Sequence, residues 1–141
     1  MNILKLLTPK RKTGNRGEAI AARTLRKKGY NILRRNYVAF DSEIDIIAEN
    51  KEYLCFVEVK TRSINHTYSI EPRPASAVTP EKQRKIISAA KYYIGGRENT
   101  KKVRLDVIEV YLNEDGSVSK VDHIENAFNL NTAYTRYERY T

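Results

Sequence analysis

This chain has very little of what several enzyme classes need. Its 141 residues include one cysteine, Cys55, so no internal disulfide can form, and a domain of this length can hold a core without one. A lone thiol in an apolar stretch reads as a small core hydrophobe and suits a reducing compartment. The two histidines, His66 and His123, have no cysteine pair beside them, which argues against structural zinc. No serine or cysteine stands in a context that suggests acyl transfer, and there is no glycine-rich phosphate loop of the NTPase type. No window approaches the roughly 18 consecutive apolar residues of a membrane span. The N-terminal MNILKLLTPKRK puts its basic residues after a short apolar patch, the reverse of a secretory leader. A soluble, cytoplasmic protein without a membrane partner is expected.

Acid is also scarce in one place. Residues 1–35 hold 11 Lys and Arg against a single acid, Glu18, whereas the other 106 residues hold 15 basic and 16 acidic side chains. The net charge of +9 therefore resides in the first quarter of the chain. A positive block on a balanced domain suits a polyanion, and a solvated helix face would account for it too.

Neither repeats nor low-complexity tracts interrupt the chain, which divides into a basic segment (1–13), one domain (14–128) and a tail rich in Tyr and Arg (129–141). The spacing predicts a helix from about Asn15 to Lys28, capped by Gly29, with Glu18, Ala21, Ala22 and Leu25 as its inward stripe. Three strands follow, YNILRRN, SEIDIIAE and EYLCFVEVKT, close enough in sequence for an antiparallel meander. Period-two alternation puts Glu43, Asp45 and Ile47 on one face of the middle strand and Ile44 and Ile46 on the other. A long loop through Pro72 and Pro74 leads to a helix with Thr79 as N-cap and Pro80 at its first position; Gln83, Ile87, Ala90 and Ile94 line one face of it. VRLDVIEVYL and SVSKVDHI form two last strands around the turn NEDG. The expected fold is α/β, a mixed sheet with a helix on each side.

Charges interrupt this apolar pattern at particular places: Glu18, Asp45, Glu58 and Lys60, with Gln83 at the start of a buried stripe. A buried charge costs several kcal/mol unless it is paired or bound to a metal. From the residues alone two readings stand side by side. One is a set of interior ion pairs such as Glu58 with Lys60. The other is a group of carboxylates around a hard cation such as Mg²⁺, with a lysine nearby.

The stretches GNRGEAIAARTLRKKGYNILRRN, SEIDIIA, FVEVKTR, EKQRKI, RLDVIEV and HIENAF, in this order, resemble the YraN-like family of small, largely uncharacterised bacterial proteins. That family is similar to the PD-(D/E)xK nucleases, which have the restriction-endonuclease fold and include archaeal Holliday-junction resolvases. The resemblance implies Asp45 as the metal-bridging acid, Glu58 as the second ligand of Mg²⁺ or Mn²⁺, and Lys60 as the lysine that positions water. It further implies Glu18 as an additional acid and Gln83 as a polar helix residue beside the site. Ile44 stands where the superfamily has proline, and the loop YSIEPRPASAV lacks an expected glycine after its aromatic.

The function this implies is a metal-dependent endonuclease acting on DNA, selective for structure more than sequence, and a homodimer is compatible with it. Arg16, Arg23, Arg26 and Lys27 would track phosphates, and Arg62 would meet a phosphate or an acidic neighbour such as Glu71. Arg104 and Asp106 read as a structural pair. The alternatives are an accessory protein that keeps the fold and binds nucleic acid without cutting, and a small basic RNA-binding protein. The tail tyrosines Tyr134, Tyr137 and Tyr140 read as ordinary packing more readily than as a stacking platform.

Overall fold

The structure, a computed structural model, describes residues 9–64 and 78–128, with side chains from residue 15 onward. The elements run α1 (Pro9–Lys27), β1 (Asn31–Ala39), β2 (Ser42–Glu49), β3 (Tyr53–Ser63), α2 (Pro80–Gly95), β4 (Lys102–Leu112) and β5 (Val118–Phe128). The long loop after β3 and the tail from residue 129 lie outside the described residues, and with them His66, Glu71 and the tail tyrosines.

Helix α1 starts at Pro9, six residues ahead of the expected Asn15. Proline is well tolerated in a first helical turn, where its missing N–H would have had no partner. At the other end Gly29 takes φ +92°, which lets its own N–H reach the Arg26 carbonyl and that of Tyr30 reach Leu25, both at 3.0 Å. Leu25 and Tyr30 are buried in the same cluster, which completes a Schellman closure. Helix α2 begins as expected, with the Thr79 side chain accepting from the Lys82 amide.

The five strands form one sheet in sequence order. Strands β1, β2 and β3 are antiparallel neighbours, β3 and β4 are parallel, and β4 and β5 are antiparallel. The parallel step is the one that needs a crossover, and α2 lies within it. Central strand β3 alternates between two cores: Cys55 and Val57 join Ala21, Ala22 and Leu25 of α1, while Leu54 and Phe56 join Ile86, Ala90 and Tyr93 of α2. The α/β sandwich, helix on sheet on helix, is thus the expected one. Full burial of Leu25, Ile46 or Ile108 contributes on the order of 1.5–3 kcal/mol each. Burial also pushes the Cys55 thiol up to about 12, as befits a core residue. Among the described residues no helix is long and apolar enough to cross a membrane.

The expected alternation fails in β2. Ile44 packs with Tyr37 and Ala39 in the α2 core, whereas Ile46 packs in the α1 core. The reason lies across the ladder, where pairs Tyr37↔Ile44 and Arg35↔Ile46 bracket Asn36 and Asp45. Asn36 adopts φ +53°, so β1 changes faces at this point and β2 follows it. Strand β2 also parts from β3 here, its last register pair being Ile46↔Val57. Period-two reasoning therefore misplaced Ile44 relative to Ile46, at the position next to Asp45.

Candidate metal and catalytic centre

Where β2 leaves β3, the β3 backbone loses a ladder partner. The Asp45 carboxylate replaces it, Oδ2 accepting the Val59 N–H at 2.8 Å. Glu18 reaches the same place from α1 because that helix lies close to β3 at Gly17. A Cβ at Gly17 would stand 1.8 Å from Thr61 Oγ1, so any other residue there would have to displace either the helix or the Thr61 side chain. Glu43 is the second residue of β2. One oxygen each of Glu18, Glu43 and Asp45 lie within 4.8 Å of one another. Only oxygen donors are offered, the preference of a hard divalent cation such as Mg²⁺.

These acids line a cleft of about 480 Å³ together with Glu58 of β3 and Lys82 and Lys85 of α2. Glu58 is buried, and its Oε1 holds two ammonium groups, Lys82 Nζ at 2.7 Å and Lys60 Nζ at 3.6 Å. It is not one of the three mutually close acids; it stands between them and the lysines. Arg35 lies 3.8 Å from Glu18 Oε2. With its amide turned so that nitrogen faces the acids, Asn36 donates to Glu18 Oε2 at 3.0 Å and to Glu43 Oε1 at 2.8 Å.

Asp45 is left with the least support. Burial, then the nearby charge of Glu58, push its carboxyl up to about 8; the Val59 N–H opposes this, and Glu18 and Glu43 add to it. Burial and then the neighbouring Lys82 charge push Lys60 below the ordinary lysine value. Burial works against the charge of Lys82 as well, but Glu58 outweighs it and the net direction is up.

The structure brings together Glu18, Asp45, Glu58 and Lys60 from three elements, α1, β2 and β3. It does not bring Gln83 to the cleft: its Nε2 donates to the Val78 carbonyl at 3.0 Å. Arg62 is taken by an acidic neighbour, Nε donating to Glu109 Oε1, which is fully buried. Arg16, Arg23, Arg26 and Lys27 are exposed on α1. At about 100° per helical residue Arg16, Arg23 and Lys27 lie roughly opposite Glu18, and the Arg16 Nε donates to the Gly116 carbonyl in the β4–β5 turn at 2.9 Å. Glu43, Asn36 and Lys82 were not singled out from sequence. Asparagine is one of the few residues besides glycine that enters the left-handed region readily, so Asn36 offered a weak local signal, whereas Lys82 offered none beyond a charge in a helical first turn.

Arg104 and Asp106 do form a structural pair, on the α1 side of the sheet. Arg104 donates from Nε to Asp106 Oδ1 and from Nη2 to Oδ2, both at 2.9 Å. Tyr30 OH lies against the same guanidinium. His123 Nε2 at 2.7 Å and the Asn126 N–H at 2.9 Å complete the shell of Asp106.

The profile of the uncharacterised protein family UPF0102 matches residues 17–110. A UPF0102 protein of Clostridium acetobutylicum is 45% identical over 121 residues, 85% of this chain and 96% of its own length. One of Caldanaerobacter subterraneus subsp. tengcongensis is 47% identical over 123 residues, 84% of this chain and 96% of its own. Among solved structures, Pyrococcus Furiosus SfsA in complex with Ca2+ aligns with a TM-score of 0.34 and 15% identity, over 82% of this chain and 63% of that one. Such a distant likeness carries no argument about fold or chemistry.

Proposed function

Because this chain belongs to the uncharacterised protein family UPF0102, whose name carries no chemistry, we propose its function from the site: a divalent-metal-dependent endonuclease that hydrolyses phosphodiester bonds in DNA and selects by structure more than by sequence. The observation that carries this reading is Asp45. It is a largely buried acid with one backbone N–H and no cation as its hydrogen-bonding partner among the described residues, set among three further carboxylates. Burial and the neighbouring carboxylates disfavour the charge of a group so placed, and a dication that offsets the repulsion makes it a strong ligand.

Asp45, Glu18 and Glu43 would hold the ion, Mg²⁺ or Mn²⁺. A bound ion of this kind polarises a phosphoryl oxygen and lowers the pKa of a coordinated water. Glu58 orients the Lys60 and Lys82 ammonium groups at the edge of the acid group, where they offset negative charge that builds on a phosphate during in-line attack. The strand break at Asp45 leaves the cleft open to a polymeric substrate.

Cleavage of end-labelled single-stranded, duplex, flap and four-way-junction DNA with Mg²⁺ or Mn²⁺ tests this. Wild type should give metal-dependent products, and Asp45→Asn should lower the rate by about 10³-fold or more, since it removes both a ligand and a charge. Equal inertness of wild type and variant on all four substrates would overturn the nuclease reading.

The second reading, a nucleic-acid-binding accessory that does not cut, is favoured by a specific observation. Glu18 and Glu43 share the Asn36 amide, and Glu58 has its lysines, so three of the four acids have partners within the protein. Under that reading Asp45→Asn would leave DNA binding unchanged, and Mg²⁺ would not raise the stability of the wild type.

A further inference from the structure

A second cleft, of about 790 Å³, opens beside the acidic one, and Asp41, Glu81 and Lys85 line both. Its walls are two exposed aromatic side chains, the cations Arg84, Lys85 and Lys91, and two acids, Asp41 and Glu81, that pair with Lys85 at 3.3 and 3.9 Å on the side nearer the acidic cleft. Phe40 is 71% exposed at the β1–β2 turn and Tyr92 is 62% exposed on α2. Their ring centroids are 5.3 Å apart at 72°, and neither ring belongs to a core cluster. Arg84, Lys85 and Lys91 stand on the same stretch of α2. Ser88 and Tyr92 follow Arg84 at successive four-residue steps, which makes this one stripe along the helix.

Phe40 is the unusual member. It adopts φ +57°, a conformation that suits glycine or asparagine and that a bulky side chain takes only at a cost in folding free energy. Among the described residues its ring meets Tyr92 edge-on and otherwise stays in water, so burial returns little for that strain. An aromatic residue kept at a strained, solvent-facing turn has its use in what it contacts outside the protein.

We propose that Phe40 and Tyr92 form a stacking subsite for unpaired bases, with Arg84, Lys85 and Lys91 holding the flanking phosphates, so that single-stranded nucleic acid runs along α2 into the acidic cleft. This deepens the nuclease reading and rests on it only for the destination of the strand. Aromatic faces ringed by guanidinium and ammonium groups match a ligand that alternates π-faces with anions. A duplex does not fit the site, because its base faces are covered by stacking and only their edges reach the grooves. The distance also suits a strand: from Lys85 to Tyr92 is about 10 Å of helix, a few nucleotides from the acids.

The test is fluorescence anisotropy with the full chain in EDTA, using a labelled oligothymidylate, a matched duplex and an oligomer of abasic sites with the same charge. Phe40→Asn relieves the backbone while removing the ring, so its melting temperature should match or exceed that of the wild type. Its affinity for oligothymidylate should fall about ten-fold or more, as should that of Tyr92→Ala, with duplex affinity unchanged. The wild type should bind the abasic oligomer as weakly as Phe40→Asn binds oligothymidylate. Unchanged single-strand affinity in both variants, or equal losses for single strand and duplex, would overturn the proposal. So would a change in sedimentation of the variants without any change in binding, which would make the patch a surface for a second copy of the chain. Cleavage by the wild type separates the two readings: a protein that binds single strands as described in EDTA but cuts none of them with Mg²⁺ or Mn²⁺ would refute the nuclease alone.

Discussion

The two faces of this sheet carry the same sequence device with opposite outcomes. On the α1 side Arg104 and Asp106 stand two residues apart in β4; on the α2 side Glu58 and Lys60 do so in β3. Asp106 is fully buried, yet Arg104, His123 and the Asn126 N–H supply donors to both its oxygens. Burial alone would raise its pKa, but these donors outweigh burial and hold the carboxyl below the usual range. Asp45, across the sheet and one strand over from Glu58, has a single N–H donor among the described residues and is pushed the other way, up to about 8. A charge that interrupts an apolar strand therefore does not identify a site. What separates structure from chemistry is whether the surrounding donors complete its shell, and here one shell is complete and the other is open.

This contrast can be broken by substitution. Asp106→Ala should be the most damaging change to stability, about 3–5 kcal/mol in urea unfolding, because it leaves the buried Arg104 guanidinium and His123 without their acid. Asp45→Asn should leave the metal-free protein at least as stable as wild type, since it removes a disfavoured charge. Equal losses in the two variants would show that Asp45 is held as firmly as Asp106.

Next in size is an opposite response to pH. The Asp45 carboxyl lies above its ordinary value of 3.8. Its contribution to stability is complete below about pH 4 and is lost as pH rises through about 8. Urea melts of the metal-free protein should therefore show wild type losing stability relative to Asp45→Asn between pH 5 and roughly 9, with Mg²⁺ recovering most of the loss at the alkaline end. Asp106 behaves in reverse: its contribution is present above 3.8 and fades as pH falls below it, so the gap between wild type and Asp106→Ala should narrow in acid. Parallel pH curves for wild type and Asp45→Asn would remove the distinction between the two sites.

The smallest expected effect sharpens the open side alone. Gly17→Ala forces a methyl group against Thr61 and should cost about 1–3 kcal/mol. Because Glu18 is the next residue, metal-dependent cleavage should fall as well, whereas the Arg104–Asp106 network, met just past the far end of α1 by Tyr30 and, through His123, by Lys28, should keep its response to acid. Thr61→Ala in the same chain should restore part of both losses. No change in unfolding would mean that α1 tolerates displacement from β3.

How far the sequence could be read followed from how local each cause was. The closure of α1 at Gly29, the inward stripe from Glu18 to Leu25, the Thr79 cap and the meander all depend on neighbours within a few residues, and all appear in the structure. Asp45, Glu58 and Lys60 were visible because a charge in an apolar strand is conspicuous. Glu43 was placed on a strand face but not chosen, and Asn36 was passed over, although asparagine enters the left-handed region readily and so permits the face change between Ile44 and Ile46. Gln83 was expected at the site and Lys82 was not. The capped first turn of α2 sends the Gln83 amide back to Val78 and the Lys82 ammonium out to Glu58.

The amino-acid order by itself determined which segments become helices and strands, which face of each is apolar, and that a few acids stand where burial is costly, because backbone preferences, caps and hydrophobic period act over short spans. Only the tertiary structure decided which acids meet. The approach of α1 at Gly17, the parting of β2 from β3 and the rotation of α2 are packing outcomes. They bring Glu18 to Asp45 and Phe40 to Tyr92, and they complete the donor shell of Asp106 while leaving that of Asp45 open.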